Sequence, residues 1–178
     1  MEVIHFAQCD DAPGDKTLRE KAAPVKDIDD KIRETAAEMR RLMEKDRGVG
    51  LAAPQVGILR RLFVTHAEGD QFRVFINPAI TWTSQEQVKY EEGCLSLPGI
   101  WAEVVRPQSI RIQAWNENGR AFTLEVSGIL ARVIQHEYDH LEGVLFIDRV
   151  NEVKRNKLLA KIGQAAAKKV KKTAARYA

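Results

Sequence analysis

Two histidines in the run Gln135-His136-Glu137-Tyr138-Asp139-His140 constrain this chain's architecture more than any other feature. Four residues advance an α-helix by slightly more than one turn, so both imidazoles leave one face of a helix and converge on a single point. Neutral imidazoles placed that way hold one metal ion. Glu137 stands beside them without being a required ligand, where it can take a proton from water and return it later. The alternative is a chance spacing on a solvated helix. The chain has only 4 His, and two of them fall here, on a segment bounded by Ser127 and Gly143, which favours the metal reading.

A catalytic metal site usually takes three protein ligands and leaves a position for water. Downstream there is no further His, which leaves Glu142 and Glu152 as poor candidates for the third ligand. Upstream, Cys94 follows Gly93 at the end of a predicted strand, and a thiolate is a strong ligand. A buried, inert thiol is the commoner fate of a free cysteine. Borderline ligands in tetrahedral geometry suggest zinc.

The rest of the chain must enclose such a helix. Its 178 residues, 44% hydrophobic and 30% charged, suffice for one core but are short for two domains. No apolar run is long enough to span a membrane. The two cysteines, Cys9 and Cys94, offer no disulfide framework, and the first residues lack a secretory pattern, so the expectation is a cytoplasmic protein. Charge is uneven. Residues 151–178 carry nine Lys or Arg against the single acid Glu152, while the body is mildly acidic.

Apolar spacing predicts a helix from about Asp27 to Lys45, with Asp27 as its cap. Residues 48–57, rich in Gly and holding Pro54, read as an ordered loop. From Arg60 to Glu125 the sequence favours strands, LFVTH, FRVFINP, AITWTSQEQVKYEEG and SIRIQAWNENGRAFTLEV, with Asn118-Gly119 marking a hairpin turn. A second helix follows from Ser127 to Gly143, with Ile129, Val133 and Ile134 facing apolar surroundings. A third, from about Glu152 to Ala175, becomes rich in Ala and Lys. The fold class is α+β, helices packed on a mainly antiparallel sheet.

Three separated stretches carry a resemblance: Gly48-Val49-Gly50-Leu51-Ala52-Ala53-Pro54-Gln55, Glu92-Gly93-Cys94-Leu95-Ser96, and Gln135-His136-Glu137-Tyr138-Asp139-His140-Leu141-Glu142-Gly143. In order and separation they are similar to the three signature motifs of the peptide deformylases, and the resemblance extends from the Asp15–Arg19 segment to about Arg149. It implies antiparallel sheets around a central metal-binding helix, with N-terminal and C-terminal helices. Residues 1–150 would form one catalytic metallohydrolase domain, and residues 151–178 a basic helix or tail within it or appended to it.

The resemblance also implies a site. Cys94, His136 and His140 would hold one divalent ion, ferrous iron in the cell, with zinc, nickel or cobalt able to substitute. The implied reaction removes the N-formyl group from the initiator methionine of nascent N-formylmethionyl peptides and releases formate. Glu137 would carry the proton. The Gln55 side-chain amide and the Leu95 backbone N–H would stabilise the oxyanion. Val49, Ile129 and Val133 fall at methionine-pocket positions, with ordinary core packing as their alternative.

Gly48 and Gly50 suit a positive-φ loop, and their bare backbone would also let a substrate peptide pair with it. Arg132 falls at a pocket position, its stem packing while its charge reaches solvent. A Glu92–Arg106 pair would orient the cysteine loop. Cys9 is a bystander, and Cys94 should be sensitive to oxidation. The basic tail resembles the helix by which some bacterial deformylases dock on the ribosome; a solvated, fraying terminus is the alternative. No membrane and no sequence-specific nucleic acid are implied as partners. Two rival functions remain at this point, a metallopeptidase and a non-catalytic, metal-stabilised ribosome-binding module.

Overall fold

A computed structural model describes residues 1–6 and 13–174 of the chain, with side chains described for 1–6 and 16–163. Cys9 and the lysines of the far tail, Lys168, Lys169, Lys171 and Lys172, with Arg176, lie outside those side chains. After α1 (Pro13–Arg19), which the sequence reading lacked, comes α2 (Asp30–Lys45). Its cap is Asp29 rather than Asp27: the Asp29 carboxylate accepts the Ile32 N–H at 2.9 Å. Ala36, Met39 and Met43 form its buried stripe.

The segment read as a loop is partly regular. It forms β1 (Gly50–Ala52) and a 3₁₀ turn (Ala53–Val56) closed by left-handed Gly57. Then follow β2 (Leu62–Thr65), β3 (Arg73–Thr83), β4 (Gln87–Cys94), β5 (Leu97–Pro107), β6 (Ser109–Trp115) and β7 (Ala121–Ser127). Strand β5 lies within the strand-favouring region from Arg60 to Glu125 but was not among the segments singled out there. Strand β3 runs through Pro78, where two strands were expected. A bulge between Ile76 and Ala79 absorbs the break, with Asn77 at φ 49° and its side-chain amide tied to both backbone groups of Val25 at 2.8 Å. The Asn118-Gly119 turn is present, in a loop whose N–H groups are gathered by the Asn116 side chain.

All strand pairs are antiparallel. One sheet has five strands in the order β1-β2-β3-β6-β7, and β4 and β5 form a separate two-stranded ribbon. Helix α3 (Gly128–Leu141) lies between them. Ala131, Ile134 and Leu141 enter the core of the large sheet with Phe63, Phe75 and Ile112. Arg132, His136 and Asp139, on a stripe spaced by four and three residues, reach towards the β4–β5 ribbon. Ser127 stands at the N-cap position without a side-chain cap bond, and Gly143, at φ 71°, terminates the helix as expected. Ile129, expected among apolar neighbours, is instead 50% exposed, because it faces a cavity rather than the core.

Helix α4 (Glu152–Ala174) returns along the ribbon, with Leu158 and Ile162 buried against Leu97, Val104 and Phe146. No helix among the described residues is long and apolar enough to cross a membrane.

Candidate active site and metal centre

Cys94 ends β4, and His136 and His140 stand one turn apart on α3. Their ligand atoms all lie within 4.8 Å of one another, and Cys94 Sγ is 3.3 Å from His140 Nε2. Glu92 accepts a bond from His136 Nδ1 at 2.9 Å, which leaves Nε2 of that ring to the centre of the cluster. A thiolate and two imidazole nitrogens at this spacing fit a borderline divalent ion with one position left open. Neither alternative third ligand is available: Glu142 is held by Lys21 and Arg61 at 2.6 and 2.5 Å, and Glu152 is an exposed residue at the start of α4.

The electrostatics favour the same use. Burial, reinforced by the neighbouring His136, holds His140 well below the usual imidazole range, which suits a neutral imidazole donor. Burial also opposes charge on His136, yet hydrogen bonds to Cys94 and Glu92 outweigh it and lift the group to about 10 without an ion. Burial pushes Glu137 up to about 7, with only partial relief from His136. Glu137 Oε2 and His140 Nδ1 are buried without a partner among the described residues. An unpartnered carboxylate oxygen beside an open ligand position is where a water would be met.

Glu92 and Arg106 do pair, through two bonds of 2.7 and 2.9 Å, with Glu92 two residues before Cys94. The same Glu92 carboxylate also accepts from the His136 ring. The expectation that the Arg132 charge reaches solvent is wrong. Arg132 is buried and donates to Glu92 at 3.0 Å, to the Val104 carbonyl at 3.0 Å and to the Val88 carbonyl at 2.7 Å. Two strand carbonyls and a carboxylate satisfy its donors inside the protein. Asp139 extends the network, accepting from Arg106 at 2.7 Å and from Arg149.

Gln55 sits in the 3₁₀ turn with its carbonyl oxygen on the Ala52 N–H at 2.8 Å, which turns its NH₂ to Cys94 Sγ at 3.4 Å and Ser96 Oγ at 3.2 Å. Leu95 and Ser96 make the turn between β4 and β5. The N-terminal segment fastens both loops: Ile4 N–H bonds the Gln55 carbonyl at 2.7 Å and Phe6 N–H the Ser96 carbonyl at 2.8 Å. Sequence reasoning missed this strap, whose residues carry no motif.

A cavity of about 450 Å³ opens on the cluster, and Val49, Gly50, Gln55, Leu95, Ile129 and Val133 all line it beside Cys94, His136 and Glu137. Neither Gly48 nor Gly50 has positive φ, contrary to expectation. Close approach constrains Gly50 instead: a Cβ there would overlap the buried Glu137 carboxylate, 2.8 Å from its Cδ, whereas one on Gly48 would meet only the movable Leu95 Cδ1, at 2.8 Å. Tyr90 and Trp101, unremarked in the sequence, also line the cavity.

A family model described as "Polypeptide deformylase" matches residues 12–156. The peptide deformylase of Borreliella burgdorferi is 50% identical over 161 residues, spanning 89% of this chain and 93% of its own length. Peptide deformylase 1 of Clostridium perfringens is 55% identical over 135 residues, or 75% of this chain and 91% of its own. A crystal structure of a peptide deformylase from Synechococcus elongatus in complex with actinonin is similar with a TM-score of 0.81 at 43% identity, over 90% of this chain and 85% of that one. Motif order, fold and relatives agree, and the chain belongs to the polypeptide deformylase family.

Proposed function

We propose that this chain, a metal-dependent hydrolase of linear amides by its family, removes the formyl group from N-formylmethionyl peptides with Glu137 as its proton carrier. The observation that carries the reading is the buried, unpartnered Glu137 oxygen beside the Cys94, His136 and His140 cluster in a cavity open to solvent. Those three residues would hold one divalent ion. Held there, such an ion would lower the pKa of water towards about 7 and make hydroxide accessible at neutral pH. Glu137 takes the released proton and hands it to the departing amine. The Gln55 NH₂, fixed by its own carbonyl's bond to Ala52, and the Leu95 N–H donate to the oxyanion on the formyl carbon. Val49, Ile129 and Val133 receive the methionine side chain, and the Gly50 backbone pairs with the substrate.

Iron is the ion we assign in the cell on the resemblance to the family, although the thiolate and two imidazoles would by themselves suit zinc and would also accept nickel or cobalt. Because formylated nascent chains arise during translation, we place the protein in the cytoplasm, with the basic C-terminal helix as the segment that meets ribosomal RNA.

Protein purified without oxygen and loaded with nickel or iron is expected to release formate from formyl-Met-Ala-Ser and to leave Met-Ala-Ser intact. Cleavage of the unformylated peptide without formate release would replace this reading with a peptidase. Gly50→Ala is expected to lower kcat/KM by roughly 10²-fold at unchanged metal content, because the added carbon pushes Glu137 out of position. Steady-state kinetics beside metal analysis checks it.

A further inference from the structure

We propose that two copies of this chain pair edge to edge through strand β7, antiparallel, about a two-fold axis at Leu124. Strand β7 ends the five-stranded sheet. It runs beside β6 in unbroken register, from Ala121 opposite Trp115 to Ser127 opposite Ser109. Just beyond the two ends, the Asn116 N–H bonds the Arg120 carbonyl at 2.9 Å and the Gly128 N–H bonds the Gln108 carbonyl at 3.0 Å. Bonded and non-bonded positions alternate in an antiparallel pair, so Phe122, Leu124 and Val126 spend their backbone groups on β6 while Ala121, Thr123 and Glu125 turn theirs away. Among the described residues no strand or turn takes up those N–H groups.

Open edges are normally blunted by brevity, proline, lysine or a bulge. The sheet's other edge follows that rule: β1 has three residues and runs into the turn that holds Pro54. The ribbon follows it too, with Lys89 on β4 and Pro98 and Pro107 on β5. Strand β7, Ala-Phe-Thr-Leu-Glu-Val-Ser, carries none of these devices. Its one charge, Glu125, is met on the solvent face by Arg111 at 2.6 Å. Its inward residues Phe122, Leu124 and Val126 pack against the core of the large sheet yet remain partly exposed, because nothing continues the sheet beyond them.

The occupant is a second copy because β7 is its own complement. With Leu124 opposite Leu124, Phe122 of one copy meets Val126 of the other, Thr123 meets Glu125 and Ala121 meets Ser127, and every side chain keeps its face. Thr123 and Glu125, whose backbone groups are free, then exchange both hydrogen bonds on either side of the axis. On the inner face the apolar rows that begin at Ile110 and Ile112 of β6 run on without a break into the second copy. On the outer face Trp115, 45% exposed beside the small Ala121, gains the equally small Ser127 of the second copy as its next neighbour. Sliding by two residues one way sets Glu125 against Glu125, and the other way sets Val126 against Arg120, so this register is the favoured one. A single strand pairing is a small interface, which makes the dimer a reversible, micromolar one.

Sedimentation equilibrium of the nickel-loaded, full-length wild type is expected to show monomer and dimer in exchange, with a dissociation constant on the order of 10–100 µM. Thr123→Pro deletes an N–H that faces away from β6, so the variant keeps its circular dichroism spectrum while its dimer weakens by about tenfold or more. Cysteines test the register in a Cys9→Ser background. In Leu124→Cys the two thiols face each other in a non-bonded pair with Cα atoms about 4.5 Å apart, within disulfide reach. Oxidised glutathione should therefore crosslink it several-fold more than Thr123→Cys, whose counterpart is Glu125, and should leave the Cys9→Ser parent single. A wild type that stays monomeric up to about 300 µM overturns the proposal and leaves the edge to a strand of another protein. So does a dimer that Thr123→Pro leaves intact, or one that Thr123→Cys traps as well as Leu124→Cys.

Discussion

Glu137→Gln lowers kcat for formate release by about 10²- to 10⁴-fold while one divalent ion per chain remains bound. The amide keeps the shape of the carboxylate but cannot accept a proton at neutral pH. Glu137 is not needed to hold the ion, because Cys94, His136 and His140 form the compact donor set without it. A variant that lost activity together with its metal would show that Glu137 is a ligand and remove it from the proton-transfer role.

The substitution has a second signature in the metal-free protein. Burial raises Glu137 from its ordinary 4.5 to about 7, so between those values the folded chain holds a proton that the unfolded chain has released. Stability from this group is full below pH 4.5 and is lost as pH rises through about 7. The variant has no such loss. Its urea midpoint should therefore gain on the wild type as pH goes from 5 to 8, by an amount on the order of 1–3 kcal/mol in folding free energy. A constant gap across that range would mean that Glu137 titrates normally. A buried carboxylate that costs stability at working pH is what the proposed proton-carrying role of Glu137 entails.

Much of this was legible in the sequence because periodicity and capping act locally. The position of α3 followed from its apolar spacing and Gly143, and the convergence of His136 and His140 from helical geometry alone. Cys94 was a different case. Composition left it between a ligand and an inert thiol, and only the motif order separated the two. What escaped was decided by tertiary partners. Arg132 looks like a surface arginine until two strand carbonyls and Glu92 are brought around it. Gly50 looks like a turn glycine until Glu137 occupies its missing side chain's place. Strand β5 carries Pro98 and Gly99 at exposed positions near its start, where a proline's missing N–H costs little.

Glu92→Gln should damage the protein more than any surface change, because this carboxylate is the point where three cationic or ligating groups meet. It takes two bonds from Arg106, one from Arg132 and one from His136 Nδ1, all between 2.7 and 3.0 Å. Burial alone would raise its pKa, yet His136 and Arg106 hold it far below the ordinary carboxylate range. The amide removes the charge and turns hydrogens towards donors, leaving Arg106 with Asp139 and Arg132 with two carbonyls. Breaking a buried pair on one side typically costs about 3–5 kcal/mol, which urea titration of the metal-free protein would read. The same change frees the His136 ring, and loss of such a partner typically weakens metal binding about 10- to 100-fold, measurable by competition with a chelator. Glu103→Gln, which breaks only the exposed pair with Lys89, is the control and should alter neither quantity. If Glu92→Gln lost stability but bound metal as tightly as the wild type, Glu92 would be a brace for the ribbon alone. Glu92→Asp then separates the two roles: its shorter carboxylate keeps the charge beside the arginines but withdraws from His136, so it should recover stability before it recovers metal affinity.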